Sequence, residues 1–169
     1  MKLTTQEIKA LKQHLKSEEN RKNSELDILY KKLKVENSIT LYIDGASDLH
    51  SKTAGIGGVI YNLDKEIFSF SEYLHDATNN EAEYNALILG LKYLLEFKFL
   101  NSKIFSDSEL IVKQVNGEYK VKNDRMKVLH SEVIRLLGNF ESWRLTHILR
   151  EKNKVADNLA NEGRKKATF

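Results

Sequence analysis

The sequence predicts an α/β protein in which a mixed five-stranded sheet carries packed helices, preceded by a helical N-terminal segment. Three stretches with strand-like alternation come first, at residues 39–44, 55–61 and 66–73, and short turns separate them. Two further strands, at 103–106 and 142–149, then alternate with helices. An antiparallel meander followed by alternating elements is typical of a mixed sheet.

Four helices are predicted in the same region, at residues 80–97, 108–115, 123–137 and 153–166. Asn116-Gly117 ends the second of these helices and Gly138-Asn139 ends the third, because such pairs favour helix termination. The order of elements is therefore three strands, a helix, a strand, two helices, a strand and a final helix.

Residues 1–36 differ from the rest of the chain, since they contain no glycine and are rich in Lys, Glu, Asn and Leu. Two apolar stripes at helical spacing run through them, formed by Ile8, Leu11 and Leu15 and by Leu26, Leu29 and Leu33. A polar stretch and a candidate N-cap at Ser24 separate the stripes, which favours a two-helix hairpin. The eleven-residue step between the stripes also fits one long helix, so both forms stay open. We expect a helical extension over 1–36 and a main domain over 38–169.

The composition indicates a soluble protein with one main domain. The chain has 169 residues and 41% hydrophobic content, enough for a core of its own. It contains no cysteine, which excludes disulfides and thiolate metal sites. No apolar run approaches the ~20 residues that cross a bilayer, and the charged N-terminus lacks the apolar segment of a signal peptide. We therefore expect a cytoplasmic protein with no membrane partner.

The formal net charge of +3 comes entirely from residues 1–36, which hold nine basic and six acidic side chains. The main domain is neutral overall. A polyanionic partner would have to be attracted by local patches or by bound metal.

Four acidic residues occupy unusual positions. Asp44 and Asp107 each end a predicted strand, and their carboxylates converge if the strands are parallel neighbours about 4.8 Å apart. Glu83 lies on the helix face expected to contact the sheet, where an uncompensated charge is costly. Asp157 lies among small apolar residues of the last helix. Glu81, by contrast, points elsewhere on its helix and is expected to be an ordinary solvated residue.

Clustered carboxylates repel one another unless a cation is present. Oxygen ligands suit Mg²⁺ or Mn²⁺ rather than Zn²⁺. Two such ions, about 3.5–4 Å apart, can activate a water and stabilise the leaving oxygen of a phosphodiester. Alternatively, the four acidic residues are separate surface residues at the ends of helices and strands. Their spacing in the sequence does not show whether they meet.

Residues 39–165 resemble type 1 ribonuclease H through five segments that occur in the family's order and spacing. The segments are YIDGAS at 42–47, GIGGVI at 55–60, TNNEAEYNAL at 78–87, FSDSEL at 105–110 and HILREKNKVADNLA at 147–160. The resemblance implies a ribonuclease H-like fold with helices on both faces of the sheet. It also implies an endoribonuclease that cuts the RNA strand of RNA–DNA hybrids and leaves 5′-phosphate and 3′-hydroxyl ends.

The resemblance assigns the family's catalytic and metal-binding carboxylates to Asp44, Glu83, Asp107 and Asp157. The implied cofactor is a pair of Mg²⁺ ions, for which Mn²⁺ can substitute. Asp44 would bridge the two metals, with Glu83 and Asp107 on one side and Asp157 on the other.

The resemblance further implies substrate contacts from the first strand and from the start of the Glu83 helix. Asn79 and Asn80 would read the 2′-hydroxyl that distinguishes RNA from DNA, and Thr78 would hold a DNA-strand phosphate. The full set of implied substrate residues is Gly45, Ala46, Ser47, Thr78, Asn79, Asn80, Ser108 and Arg150. Helix capping is the alternative role for the two asparagines. His147 is a candidate hydrogen-bond partner of Asp157, or else a structural residue at a strand end.

The sequence departs from many relatives at two loops. Residues 48–53 replace an Asn-Pro-Gly stretch, and residues 150–154 lack a loop histidine but begin with Arg150. This resembles a shorter, archaeal-like branch, in which a basic residue such as Arg150 would assist product release. Some members of that branch also cut RNA–RNA duplexes, which leaves strand selectivity open.

Two alternatives to an active hybrid nuclease remain at this stage. One is a catalytically silent nucleic-acid-binding protein with the same fold, and the other is a related nuclease that acts on DNA. The lysines of residues 1–36 could grip substrate phosphates. The leucine stripes suggest a packing or dimerising hairpin instead, and the six acidic residues interleaved with the bases favour this second role.

Overall fold

The computed structural model describes residues 5–15, 25–29 and 39–166. The chain forms two compact units, Met1–Ser38 and Ile39–Phe169. In the first unit, helix α1 covers Thr5–His14, and residues 25–29 are also helical. The choice between a hairpin and one long helix depends on residues 16–24, which lie outside the described residues and include the candidate N-cap Ser24. Leu33 lies outside them as well.

The second unit contains the five-stranded sheet that the sequence predicts. Its strands are β1 Ile39–Asp48, β2 Thr53–Asn62, β3 Lys65–His75, β4 Asn101–Ser106 and β5 Ser142–His147. The strand order is β3-β2-β1-β4-β5. β1 pairs antiparallel with β2, and β2 with β3, whereas β4 is parallel to both β1 and β5. The mixed sheet, with three antiparallel strands followed by two more, is therefore confirmed.

Most strand bounds differ from the prediction by one or two residues, and the ends of β1 and β5 show the reason. β1 does not end at Asp44 but continues to Asp48, because Gly45–Asp48 stay paired with Thr53–Ile56 of β2. β5 ends at His147 rather than at residue 149, because its neighbour β4 ends at Ser106, the partner of His147. In both cases the pairing strand, which local sequence does not encode, sets the length.

Helices cover both faces of the sheet, as the resemblance implied. They are α2 Asn79–Glu96, α3 Glu109–Val115, α4 Asp124–Leu137 and α5 Lys154–Lys165, with a 3-10 turn at Arg150–Lys152 before α5. On one face, Gly90 of α2 lies against the side chain of Leu41. On the other, Gly57 of β2 lies against the backbone of Ala160 in α5. Among the described residues, no helix has the length and apolar content needed to cross a membrane.

The core lies mainly between the sheet and the face of α2. Its fully buried side chains include Leu41, Ile43, Ile60, Tyr84, Leu87, Leu91, Leu94 and Ile104. This packing matters for the site because it fixes α2 against β1, and α2 carries Glu83.

Candidate active site

Three of the four predicted carboxylates meet at one end of the sheet. Oxygen atoms of Asp44, Glu83 and Asp107 all lie within 4.8 Å of one another. Asp44 and Asp107 each follow the parallel register pair Ile43 and Ser106, so β1 and β4 place them side by side. The predicted convergence of these two strands is confirmed, although Asp44 lies inside β1 and not at its end.

Gly45 explains how Glu83 reaches this cluster from a helix. A Cβ atom at Gly45 would lie 2.3 Å from the backbone nitrogen of Glu83, so only glycine allows β1 and α2 to approach so closely. The Gly45 backbone N–H also donates a hydrogen bond to the Glu83 carboxylate. Sequence reasoning placed Gly45 among substrate contacts; the structure shows that it also positions Glu83.

The cluster is electrostatically unfavourable without a cation. Burial raises the pKa of Asp44 well above its ordinary range, and repulsion from Asp107 raises it further. Burial likewise raises the pKa of Glu83, with repulsion from Asp44 and Asp107 as the next causes. Both side chains are almost fully buried, at 5% and 4% exposure. Their ionised forms are therefore disfavoured where they lie.

The donor set fits a divalent cation. Glu83 Oε2 is buried and has no hydrogen-bond partner among the described residues. Such an orphaned oxygen costs about 1–3 kcal/mol unless something satisfies it. A hard cation such as Mg²⁺ or Mn²⁺ takes oxygen ligands and would neutralise the repulsion at the same time.

Asp157 stands apart from the three clustered carboxylates. It lies in the first turn of α5, and its Oδ1 forms an ion pair with Arg150 Nη2 at 2.6 Å. It is nevertheless close enough to contribute to the raised pKa of Asp44. Glycines allow α5 to approach the sheet, since a Cβ at Gly57 would lie 2.3 Å from the Ala160 nitrogen. The structure thus brings Asp157 to the edge of the cluster, with Arg150 as its counter-ion.

The carboxylate cluster lines a cleft of about 420 Å³. Six of the eight predicted substrate residues line the same cleft: Gly45, Ala46, Ser47, Asn79, Ser108 and Arg150. Sequence reasoning missed Asn161 and Arg164, which line it as well. They follow Asp157 by four and seven residues on α5, so helical periodicity alone would have placed them on the same face.

Thr78 and Asn80 line a separate, smaller recess together with Glu81 and Arg125. Thr78 is the N-cap of α2, and its hydroxyl accepts a hydrogen bond from the Glu81 backbone N–H. The capping role considered for the asparagines therefore belongs to Thr78. The expectation that Glu81 is solvated was wrong, because it is buried, completes the capping box and pairs with Arg125 Nε at 2.7 Å.

His147 is exposed at the end of β5, and its electrostatic influence falls on Glu109. It makes no hydrogen bond or ion pair with Asp157 within the part of the chain that the structure describes. Arg150 is the cationic partner of Asp157 instead.

Sequence reasoning also missed a role for Asn153, which lies just before α5 and is only 1% exposed. Its Nδ2 donates to the Ile43 carbonyl at 2.9 Å and to Asp107 Oδ1 at 3.0 Å. A lone asparagine near a helix start gave no signal beyond capping.

Comparisons with known proteins identify the same domain. Residues 42–163 match the family described as reverse transcriptase-like. Ribonuclease HI of Halobacterium salinarum is 35% identical over 122 residues, which cover 72% of this chain and 61% of that protein. A bifunctional protein of Mycobacterium tuberculosis is 30% identical over 126 residues, which cover 73% of this chain and 35% of that protein. The chain therefore spans less than two thirds of these relatives.

Solved structures agree with the sequence comparisons. The crystal structure of RNase H1 from Halobacterium salinarum has a TM-score of 0.72 and 32% identity, covering 76% of this chain and 98% of that one. LC11-RNase H1, solved in complex with an RNA/DNA hybrid, has a TM-score of 0.72 and 36% identity, covering 78% of this chain and 99% of that one. On this evidence the chain belongs to the ribonuclease HI family.

Proposed function

We propose that this protein is a metal-dependent endoribonuclease that hydrolyses the RNA strand of RNA–DNA hybrids. The observation that carries the proposal is the convergence of Asp44, Glu83 and Asp107 within 4.8 Å, where a buried Glu83 oxygen has no hydrogen-bond partner in the described part of the chain. Buried carboxylates that repel one another destabilise the fold unless a cation neutralises them, so this arrangement favours a cation-binding site over a structural role. The family to which the chain belongs supports the assignment of the activity.

In this proposal, Asp44, Glu83 and Asp107 would hold one Mg²⁺, and Asp157 would help Asp44 to hold a second. When bound, the two ions supply a nucleophilic water at neutral pH and stabilise the leaving oxygen of the phosphodiester. Mn²⁺ has the same preference for oxygen ligands and is expected to substitute. The products would carry a 5′-phosphate and a 3′-hydroxyl.

The substrate is positioned by the residues that line the cleft around the carboxylates. Asn79 and the backbone near Ala46 lie beside Asp44 and Glu83, where they could contact the 2′-hydroxyl of the RNA strand. Thr78 and Asn80 lie with Arg125 in the smaller recess, which we assign to the DNA strand. For Asn80 this assignment replaces the 2′-hydroxyl contact that the resemblance implied, because Asn80 does not line the cleft around the carboxylates. A hybrid bound to LC11-RNase H1 supports this class of substrate.

Arg150 has two tasks in this proposal. Its guanidinium pairs with Asp157 in the free protein, and it lines the cleft, where it can contact a phosphate of the substrate or product. This would replace the loop histidine that residues 150–154 lack.

Two further predictions accompany the proposal: a homodimer would form through residues 1–36, and the protein would act in the cytoplasm. Additional cleavage of RNA–RNA duplexes stays open in this proposal. Light scattering on the full chain and on a chain without residues 1–36 tests the dimer.

The test of the main proposal is cleavage of an end-labelled RNA–DNA hybrid with Mg²⁺, beside matched RNA–RNA and DNA–DNA duplexes. The parent should cut the RNA strand internally, and Asp107→Asn, which keeps the size of the side chain but loses its charge, should be inert. Glu109→Gln is the matched control, because Glu109 is an exposed acid two residues away that pairs with Lys113 outside the cleft. A parent that binds hybrid but cuts nothing with Mg²⁺ or Mn²⁺ supports the silent binding protein instead, and cleavage of DNA–DNA alone supports the DNA nuclease.

A further inference from the structure

Asn153 holds a buried position between the carboxylates and the rest of the sheet. Its Nδ2 donates two hydrogen bonds, to the Ile43 carbonyl and to Asp107 Oδ1. Both partner atoms are hydrogen-bond acceptors, so the NH₂ end of the Asn153 amide, and not its oxygen, must face them. Asn153 is only 1% exposed, so water cannot readily replace either hydrogen bond.

The location of Asn153 connects three elements of the site. Ile43 directly precedes Asp44 in β1, and Asp107 follows β4. Asn153 itself begins the segment that becomes α5, and its carbonyl accepts the first helical hydrogen bond, from the Asp157 N–H. One amide therefore ties together the parts of the chain that carry three of the four carboxylates.

Helix capping does not explain this residue. Although Asn153 occupies the N-cap of α5, its side chain makes no capping hydrogen bond. Its Oδ1 is buried without a partner among the described residues, an arrangement that costs stability. The amide nitrogen Nδ2, which donates to Asp107, is therefore the end of the side chain that forms hydrogen bonds.

We propose that Asn153 is a positioning residue that holds the Asp107 carboxylate in place for metal binding. This inference rests on the proposed function, since it assumes that Asp44, Glu83 and Asp107 bind a divalent cation. A carboxylate that is already held by a hydrogen-bond donor loses less conformational freedom when it binds a metal. Removing a residue that hydrogen-bonds to a metal ligand typically weakens metal affinity by about 10- to 100-fold. Asn153 does not touch the substrate in this account and acts through Asp107.

The test is a calorimetric titration of the full-length protein with Mg²⁺, without nucleic acid, combined with melting temperatures measured in EDTA. Asn153→Ala removes both hydrogen bonds. Asn116→Ala is the control, because Asn116 Nδ2 donates to a strand carbonyl, that of Leu145, and not to a carboxylate. Asn153→Ser serves as a second variant if the alanine variant does not fold, since serine is a favoured N-cap residue but is too short to reach both acceptors.

We expect the Mg²⁺ Kd to rise about tenfold in Asn153→Ala or Asn153→Ser and to stay within twofold of the parent in Asn116→Ala. Cleavage by the Asn153 variants should recover to within a few-fold of the parent at saturating Mg²⁺. An Asn153 variant that melts earlier but binds Mg²⁺ with the parent's Kd would show a structural residue only and overturn the inference.

The two proposals fail in different ways. If the parent binds Mg²⁺ but does not cut the hybrid, the proposed function fails while the Kd values still decide the role of Asn153. If the parent cuts the hybrid and the Kd does not change in the variants, only the role of Asn153 fails. A parent that binds neither Mg²⁺ nor Mn²⁺ overturns both.

Discussion

Arg150 Nη2 lies 2.6 Å from Asp157 Oδ1, so one carboxylate of the site already has a cationic partner from the protein. The guanidinium also attracts Asp44 and Asp107, and these interactions raise the pKa of Arg150 further. The side chain of Arg150 is 77% exposed, which leaves it free to move. A metal ion that binds Asp157 must therefore compete with a positive charge that can be displaced.

The first prediction concerns this competition. Arg150→Gln should bind Mg²⁺ several-fold more tightly in the absence of substrate, because it lacks the competing charge, yet bind the hybrid more weakly. The free energy of unfolding should change by less than about 1 kcal/mol, since exposed ion pairs contribute little. Arg150→Lys, which keeps the charge, should bind Mg²⁺ much as the parent does. Calorimetry measures both affinities, and weaker Mg²⁺ binding by Arg150→Gln would contradict the competition.

The second prediction concerns the pH dependence of the metal-free protein. In the folded state the pKa of Asp44 is raised to about 8, chiefly by burial, whereas in the unfolded chain it is about 4. Between these values the folded state holds a proton that the unfolded state has lost, so stability falls as the pH rises. The stability that protonated Asp44 contributes is fully present below about pH 4 and is lost as the pH passes about 8.

Urea unfolding in EDTA measures this effect. The parent should lose on the order of 2 kcal/mol between pH 5 and pH 8, and Mg²⁺ should restore much of the loss at pH 8. Asp44→Asn cannot ionise, so it should be more stable than the metal-free parent at pH 8 and should depend less on pH. Equal pH profiles for the two proteins would show that Asp44 is not destabilised by its surroundings.

Sequence patterns predicted the parts of the site that depend on short-range periodicity. Glu83 was placed on the sheet-facing side of its helix because the apolar residues around it repeat every three or four positions, and it is indeed buried. Asp44 and Asp107 were expected to converge because each follows strand-forming residues, and the parallel pairing of β1 with β4 brings them together. Each of these predictions used only the neighbours in sequence and one rule about parallel strands.

The features that sequence patterns missed depend on contacts between distant segments. Glu81 was expected in solvent, but Arg125, on a helix 44 positions further along, covers and pairs with it. Asn153 bonds to Ile43, which is 110 residues away, and no local signal marks such a contact. The partner of Asp157 is Arg150 rather than His147 because the 3-10 turn folds the chain back toward α5.

The third prediction tests the close approach of β1 to α2. Gly45→Ala places a Cβ 2.3 Å from the Glu83 nitrogen, which forces the strand and helix apart. The expected cost is about 2–3 kcal/mol of unfolding free energy, together with weaker Mg²⁺ binding because Glu83 moves away from Asp44. Urea unfolding and calorimetry measure the two effects.

Gly138→Ala provides the matched control. The nearest atom to a Cβ there is the Arg135 carbonyl oxygen at 3.4 Å, and the φ of Gly138 is −61°, which alanine adopts readily. This variant should be as stable as the parent or gain up to about 1 kcal/mol. If Gly45→Ala were as stable as Gly138→Ala, the contact between Gly45 and Glu83 would not constrain the site.

The fourth prediction separates the two neighbouring asparagines at the start of α2. Asn79 lines the cleft with Asp44, Glu83 and Asp107, whereas Asn80 lies in the recess with Thr78. Neither caps the helix, so alanine at either position should leave the melting temperature nearly unchanged. Asn79→Ala should weaken binding of the RNA–DNA hybrid about fivefold, the effect of one lost hydrogen bond.

A DNA–DNA duplex of the same sequence, bound in Ca²⁺ so that no strand is cut, distinguishes contacts to the 2′-hydroxyl from contacts to phosphate. Because Asn79 is proposed to contact the RNA strand, Asn79→Ala should reduce the preference for hybrid over DNA–DNA duplex. Asn80→Ala, which acts from the DNA-strand recess, should weaken both duplexes by similar factors and leave that preference unchanged. The reverse pattern would mean that the cleft and the recess bind the opposite strands, with the carboxylate cluster facing DNA.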